Sequence, residues 1–383
     1  MKIDHVHFYV EDAKVWRDWF VYHLGFEPVA DRLSSFHTCT EVVKSGDVCF
    51  FLSSPLLPTS PVAEFLRQYP PGVADVAFAV EDVEAAIALA QKHGATVLQP
   101  IQEKNLGTAS LKWSKIAAWG GLTHTLIERE VGGDGEARRG DALKEEAKRQ
   151  TVGCTGDEFS TCSLLTASCV TTSSLITAID HIVLNVAIGE LESAVTWYEK
   201  ILNFQPQQVF KIKTDRSALH SQVMVSRNGK VQLPINEPAS SNSQIQEFLD
   251  VNRGPGIQHI ALRTPNLVSA IAKFRANGLS LLSVPQSYYT QLQQRPGLPL
   301  SVLELEAIAQ QEILVDWKEY TPVEGGHPAP LLLQIFTQPI FEQPTFFFEF
   351  IERRFQAQGF GEGNFRALFE AIESEQIKRG TLQ

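Results

Sequence analysis

Five cysteines in 383 residues is an odd number, and no two of them form a Cys-x-x-Cys pair. This argues against both a disulfide framework and a structural zinc site built on thiolates, so any metal must be held by nitrogen and oxygen. Positive charge is also short: 33 lysines and arginines stand against 44 acidic residues, a formal net charge of −11. Such a chain has no electrostatic attraction for nucleic acid or for anionic membrane. No apolar run approaches the roughly 20 residues that cross a bilayer. Met1-Lys2-Ile3-Asp4-His5 carries no signal-peptide core, and a cytoplasmic protein without membrane contact is expected. What remains is an ordinary globular composition, at a length that suits two domains.

The chain is internally duplicated. Ile3-Asp4-His5-Val6-His7-Phe8-Tyr9-Val10 reads as a strand, followed by an amphipathic helix over 13–24 that stops at Gly25. The same pattern returns as Ile179-Asp180-His181-Ile182-Val183-Leu184-Asn185-Val186, with a helix reaching Leu202-Asn203-Phe204. A second pair of segments matches Gly72-Val73-Ala74-Asp75-Val76-Ala77-Phe78 with Gly256-Ile257-Gln258-His259-Ile260-Ala261-Leu262, each leading into a helix that ends near a glycine, Gly94 or Gly278. The third sets Thr125-Leu126-Ile127-Glu128-Arg129 against Glu349-Phe350-Ile351-Glu352-Arg353. Each half therefore reads as two β-α-β-rich units, over 1–130 and 177–383. The segment 131–176 between them, Gly- and charge-rich and then Ser/Thr-rich, reads as a linker with one short helix near 142–149.

The repeat makes the candidate chemistry testable by comparing its own halves. Glu349 sits in an aromatic strand in which Phe347, Glu349 and Ile351 share one face and Phe346, Phe348 and Phe350 the other. A carboxylate buried there must be paired or bound to a metal. A lone buried histidine is more often a core residue bonded to a backbone carbonyl, and that reading holds for His5. At repeat-equivalent positions, however, the second half has His181, His259 and Glu349 where the first has His5, Asp75 and Thr125. Two histidines and one carboxylate form the set that favours non-haem Fe(II). One Fe(II) is expected in the second half, and no catalytic metal in the first.

The segments around His181, Gly254-Pro255-Gly256-Ile257-Gln258-His259 and Phe346-Phe347-Phe348-Glu349-Phe350-Ile351-Glu352-Arg353 resemble the 4-hydroxyphenylpyruvate dioxygenase family. So do Leu233-Pro234-Ile235-Asn236-Glu237-Pro238, Ser243-Gln244-Ile245-Gln246, Leu333-Gln334-Ile335-Phe336-Thr337 and Gly359-Phe360-Gly361-Glu362-Gly363-Asn364-Phe365. The likeness is specific over 179–382 and mostly architectural over the first 130 residues. It implies an α+β fold of the vicinal oxygen chelate (glyoxalase-like) type: two domains of paired βαβββ modules, forming open, strongly curved, barrel-like sheets, with a C-terminal lid helix. It implies His181, His259 and Glu349 as iron ligands; Gln244, Gln258, Gln334, Asn236 and Ser221 as polar catalytic-pocket residues; and Phe336, Phe347, Phe360, Phe365 and Asn364 as the substrate pocket. Strand parity agrees for Gln334 with Phe336 and for Phe347 with Glu349. For Gln258 it does not, since the residue before His259 points to the opposite face of a regular strand.

By the same resemblance the substrates are 4-hydroxyphenylpyruvate and O2, the products homogentisate and CO2, and the protein a homo-oligomer. The step would serve tyrosine breakdown or the making of prenylated quinones and tocopherols, and that choice stays open. A hydroxymandelate synthase acting on the same substrate is one alternative; a non-catalytic binding or sequestration protein of the same fold is the other. The run Gly359-Phe360-Gly361-Glu362-Gly363 follows no βαβ strand and carries a Glu where an anion would sit, so it is no nucleotide loop. It reads as a hinge before a helix over 365–378, with Leu368, Phe369 and Ile372 on one face.

Overall fold

The computed structural model describes residues 1–29, 35–106, 109–131, 174–214, 217–317 and 329–380. Nearly all of the expected linker, with its helix near 142–149, lies outside the described residues.

The first half runs β1 (Lys2–Tyr9), α1 (Ala13–Leu24), β2 (Glu27–Pro28), β3 (Thr38–Ser45), β4 (Val48–Pro55), α2 (Pro61–Gln68), β5 (Gly72–Ala79), α3 (Val83–Lys92), β6 (Val97–Leu106), β7 (Ala109–Ala117) and β8 (Thr123–Val131). This is βαβββ twice. The second half repeats it: β9 (Ala178–Asn185), α4 (Leu191–Leu202), β10 (Gln205–Lys213), β11 (Ala218–Val225), β12 (Gln232–Pro238), α5 (Gln244–Asn252), β13 (Gly256–Arg263), α6 (Leu267–Ala276), two further helices α7 (Gln286–Gln294) and α8 (Val302–Gln310), then β14 (Leu314–Trp317), β15 (Leu331–Phe336) and β16 (Phe347–Arg354). A last helix, α9 (Glu362–Arg379), closes the chain. Strand order is the same in both eight-stranded sheets: β2-β3-β4-β1-β5-β8-β7-β6 and β10-β11-β12-β9-β13-β16-β15-β14. The fold is α+β, and the duplication read from the chain is a duplication of topology.

Local chemistry sets the boundaries. Asp12 caps α1 by accepting from the backbone N–H of Lys14 and Val15, and Gly25 ends it at φ 70°. In the second half Asn203 takes the same left-handed position at φ 57°. The outer faces of the strands explain how the halves join. Phe346 and Phe348 turn away from the second sheet's interior and meet Phe8, Phe20 and Phe50 of the first half, with ring centroids 5.2–5.9 Å apart. Reciprocally, Tyr198 and Phe204 at α4 pack on His124 and Phe78 of the first sheet. One hydrophobic core thus runs through both halves, and it frees the inner face of the second sheet for polar groups. Among the described residues no helix is long and apolar enough to cross a membrane.

Candidate metal centre

Three adjacent strands bring the candidate ligands together. Ala261 on β13 pairs with His181 on one side and with Glu349 on the other, and residues opposite each other in a ladder share a face. His259 lies two residues before Ala261, so it shares that face as well. One ligand-capable atom from each of His181, His259 and Glu349 lies within 4.8 Å of the others, and all three residues are buried. Nε2 of His181 is 3.2 Å from Oε2 of Glu349, and Nε2 of His259 is 3.7 Å from the same oxygen. Two imidazole nitrogens around one carboxylate oxygen are a donor set that can hold a metal.

The groups behind the ligands are ordered too. Asp180 accepts from Nδ1 of His181 at 3.0 Å, which leaves Nε2 for the centre. The amide of Gln334 donates to Oε1 of Glu349 at 2.8 Å and leaves Oε2 facing the histidines. Burial lowers the pKa of His181, but the Glu349 charge and the bond to Asp180 outweigh it and raise it to about 9. Burial and the neighbouring His181 charge push His259 well below the usual range. Asp180 is itself held well below the carboxylate range: burial opposes this, and Arg353 and His181 prevail. His181 therefore holds a proton at the place where a cation would sit.

Side chains from seven of the second sheet's eight strands line one pocket around these groups, which requires the sheet to curl into a half-barrel. Ser221, Asn236, Gln244, Gln258, Gln334, Phe336, Phe347, Phe360 and Asn364 are all in its wall. Phe347 stacks on His259 with centroids 4.7 Å apart, and Phe360 meets His181 edge-on at 5.1 Å. Oε1 of Gln244 is buried without a hydrogen-bond partner, an expense that a bound polar group would remove. The side chains of Phe365 and Leu368 lie outside the described residues.

The parity objection to Gln258 is overturned by a bulge. Ile257 pairs with Leu184 and His259 with Val183, so Gln258 is the extra residue between them and shares the pocket with His259. The hinge reading needs a correction as well. The last helix starts at Glu362 rather than at 365, and Gly361 is its N-cap at φ 74°. Gly363 lies inside the helix and serves as a close approach: its N–H donates to Asp316 at 3.2 Å, and a Cβ there would overlap that carboxylate. Phe369 packs against Leu219, Ile245, Phe248 and Leu249, while Ile372 reaches the pocket. Buried Glu373 accepts from Thr214 and Ser217, each at 2.6 Å, so α9 is docked over the barrel.

At the equivalent place in the first half, Asp75 accepts from Thr123 at 2.5 Å and Thr125 at 3.1 Å, with Lys115 at 3.9 Å. Its charge is met by hydroxyls and an ammonium.

Residues 4–109 and 178–295 each match the Glyoxalase/Bleomycin resistance protein/Dioxygenase superfamily. The chain is 37% identical to a 4-hydroxyphenylpyruvate dioxygenase of Caenorhabditis elegans and 38% identical to one of Yarrowia lipolytica. Each of these alignments covers 99% of this chain and 93% of the relative. A solved structure, a variant of 4-hydroxymandelate synthase from Streptomyces coelicolor, superposes with a TM-score of 0.78 at 23% identity over 98% of both chains. At that identity the likeness speaks for the fold alone.

Proposed function

The chain belongs to the 4-hydroxyphenylpyruvate dioxygenase family, and on that premise we infer that His181, His259 and Glu349 hold a catalytic Fe(II). The protein converts 4-hydroxyphenylpyruvate and O2 into homogentisate and CO2. The observation that carries the site assignment is the convergence of the three ligand atoms within 4.8 Å at the floor of the pocket.

Bound Fe(II) supplies Lewis acidity and redox chemistry toward O2 and the 2-oxo acid. The chain's own residues supply geometry. Asp180 and Gln334 fix the faces that His181 and Glu349 turn to the metal. Gln244, Gln258, Asn236 and Ser221 orient the polar ends of the substrate, and the unpartnered Gln244 oxygen is the group most in need of such a contact. Phe336 and Phe347 are the walls between which the aromatic ring is held in one orientation. Phe360, just before α9, and Asn364, in its first turn, close the mouth and exclude water. No general base is called for, in keeping with a pocket of amides and phenyl rings.

The test is anaerobic reconstitution with Fe(II), addition of 4-hydroxyphenylpyruvate and O2, and chromatography of the products. Homogentisate that disappears in Glu349→Ala supports the reading. Hydroxymandelate would move the oxidation to the side chain while keeping the site. Tight substrate binding without O2 uptake would leave only a sequestration protein.

A further inference from the structure

Asp180 stands beside a metal ligand without being one. The β9–β13 ladder pairs Ile179 with Leu262 and His181 with Ala261, so Asp180 is the inserted residue of a bulge. Such an insertion re-aims a side chain, and here it turns the carboxylate toward its neighbour's ring. That carboxylate is fully buried and accepts from five nitrogens: Nδ1 of His181 at 3.0 Å, Nη2 and Nε of Arg353 at 2.6 and 2.8 Å, and Nη2 and Nε of Arg263 at 2.6 and 3.2 Å. Arg353 uses its remaining nitrogen, Nη1, to donate to the carbonyls of Ala357 and Gly359 at 3.2 and 2.8 Å. Those carbonyls belong to a turn in which Phe355 and Gln356 both adopt left-handed conformations, φ 51° and 57°, which side chains disfavour. A turn of that kind needs an external hold. It delivers Phe360 edge-on to His181, and the Phe360 carbonyl to Gln334 at 3.0 Å.

We propose that Asp180, acting through Arg353, is a positioning residue that couples the orientation of the metal ligand His181 to the turn from which the lid helix springs. Metal loading and ordering of the lid then depend on each other. The proposal rests on the reading of His181 as a ligand. The first half holds its own control. Asp4 is likewise the inserted residue of a bulge, 2.9 Å from Nδ1 of His5 and 2.9 Å from Nη2 of Arg129, at a place whose other positions are Asp75 and Thr125. If the Asp-His-Arg arrangement served folding alone, its loss would matter equally in both halves.

The experiment compares Asp180→Asn, Arg353→Gln and Asp4→Asn in the full chain. Co(II) is titrated anaerobically and followed by visible absorption, and hydrogen exchange of 354–361 is measured with and without Co(II). For Asp180→Asn the expected result is Co(II) affinity lowered by about tenfold to a hundredfold, with the metal-induced protection of 354–361 lost. Arg353→Gln should lose that protection with a smaller change in affinity, and Asp4→Asn should stay within about twofold of wild type on both readouts. Wild-type affinity in Asp180→Asn, or an equal loss in Asp4→Asn, overturns the proposal. Should Asp180→Asn fail to fold, retained protection in Arg353→Gln overturns it. A wild-type chain that binds no Co(II) instead sinks the metal-site reading beneath it, and needs no variant to recognise.

Discussion

Gln334 donates its amide hydrogen to Oε1 of Glu349 at 2.8 Å, and its own oxygen accepts from Nδ2 of Asn364 at 2.9 Å. A single side chain thus touches a proposed metal ligand and the first turn of α9. Gln334→Leu removes at once the bond to a carboxylate oxygen and the one that the Asn364 amide nitrogen donates. A hydrogen bond to a charged group contributes about 1.5–3 kcal/mol, so kcat/KM should fall by about tenfold to a hundredfold in an O2-uptake assay. Asn364→Ala cuts the latch, together with the bond that Asn364 accepts from the Tyr288 hydroxyl, and leaves the Gln334–Glu349 bond in place. It should leave metal affinity unchanged while a larger share of the O2 consumed fails to appear as homogentisate.

Metal binding should release a proton. In the metal-free cluster His181 is protonated below its pKa of about 9, because Glu349 and Asp180 overcome the effect of burial. A ligand nitrogen must give up that proton before it coordinates. Apparent affinity for Co(II) should therefore rise about tenfold per pH unit through neutrality and flatten near pH 9. Calorimetric titration at pH 7 in buffers of different ionisation enthalpy should count close to one proton released per metal. A count of zero would mean that the cluster is unprotonated before the metal arrives.

Period-two alternation and the match between halves were enough to place His181, His259 and Glu349 on one face, because all three lie in regular ladder positions around Ala261. The same alternation misjudged Gln258, since a bulge breaks parity and leaves no mark in composition. The role of Asp180 is hidden for the same reason, although its signal is present: Asp-His opens both repeats, as Asp4-His5 and Asp180-His181, and an arginine ends both, as Arg129 and Arg353. The aromatic outer face of β16 was legible as buried but not as the surface that receives α1. Contacts such as Phe20 with Phe348 are made only when the two halves dock.

The docking itself should be sensitive to pH through His124. Its Nδ1 donates to the carbonyl of Val76 at 3.0 Å, and its Nε2 accepts from the hydroxyl of Tyr198 at 3.0 Å, across the two halves. Burial lowers its pKa from 6.5 to about 4. The unfolded chain therefore takes up the proton first as pH falls. The stability held by neutral His124 is complete above about pH 6.5 and is lost as pH falls toward 4. A lowering of that size amounts to about 3 kcal/mol of stability. Urea unfolding at pH 7 and pH 4.5 should show that loss, and His124→Gln should be less stable at pH 7 but lose less on acidification. Equal acid loss in both proteins would assign the effect to other groups.

Two glycines before the lid separate backbone freedom from space. Gly359 has φ 86° with nothing near the position of a Cβ, whereas Gly361 has φ 74° and a Cβ there would overlap the Gln334 carboxamide. Both substitutions to alanine incur the left-handed penalty, about 1–2 kcal/mol. Only Gly361→Ala also pushes Gln334, and Gln334 cannot move without releasing Glu349 Oε1 or Asn364. Thermal melts should therefore shift further in Gly361→Ala than in Gly359→Ala. Gly361→Ala should lose at least tenfold more kcat/KM than Gly359→Ala and bind Co(II) more weakly. Equal activity in the two would mean that the lid tolerates a displaced Gln334, and that its hold on Glu349 contributes little to turnover.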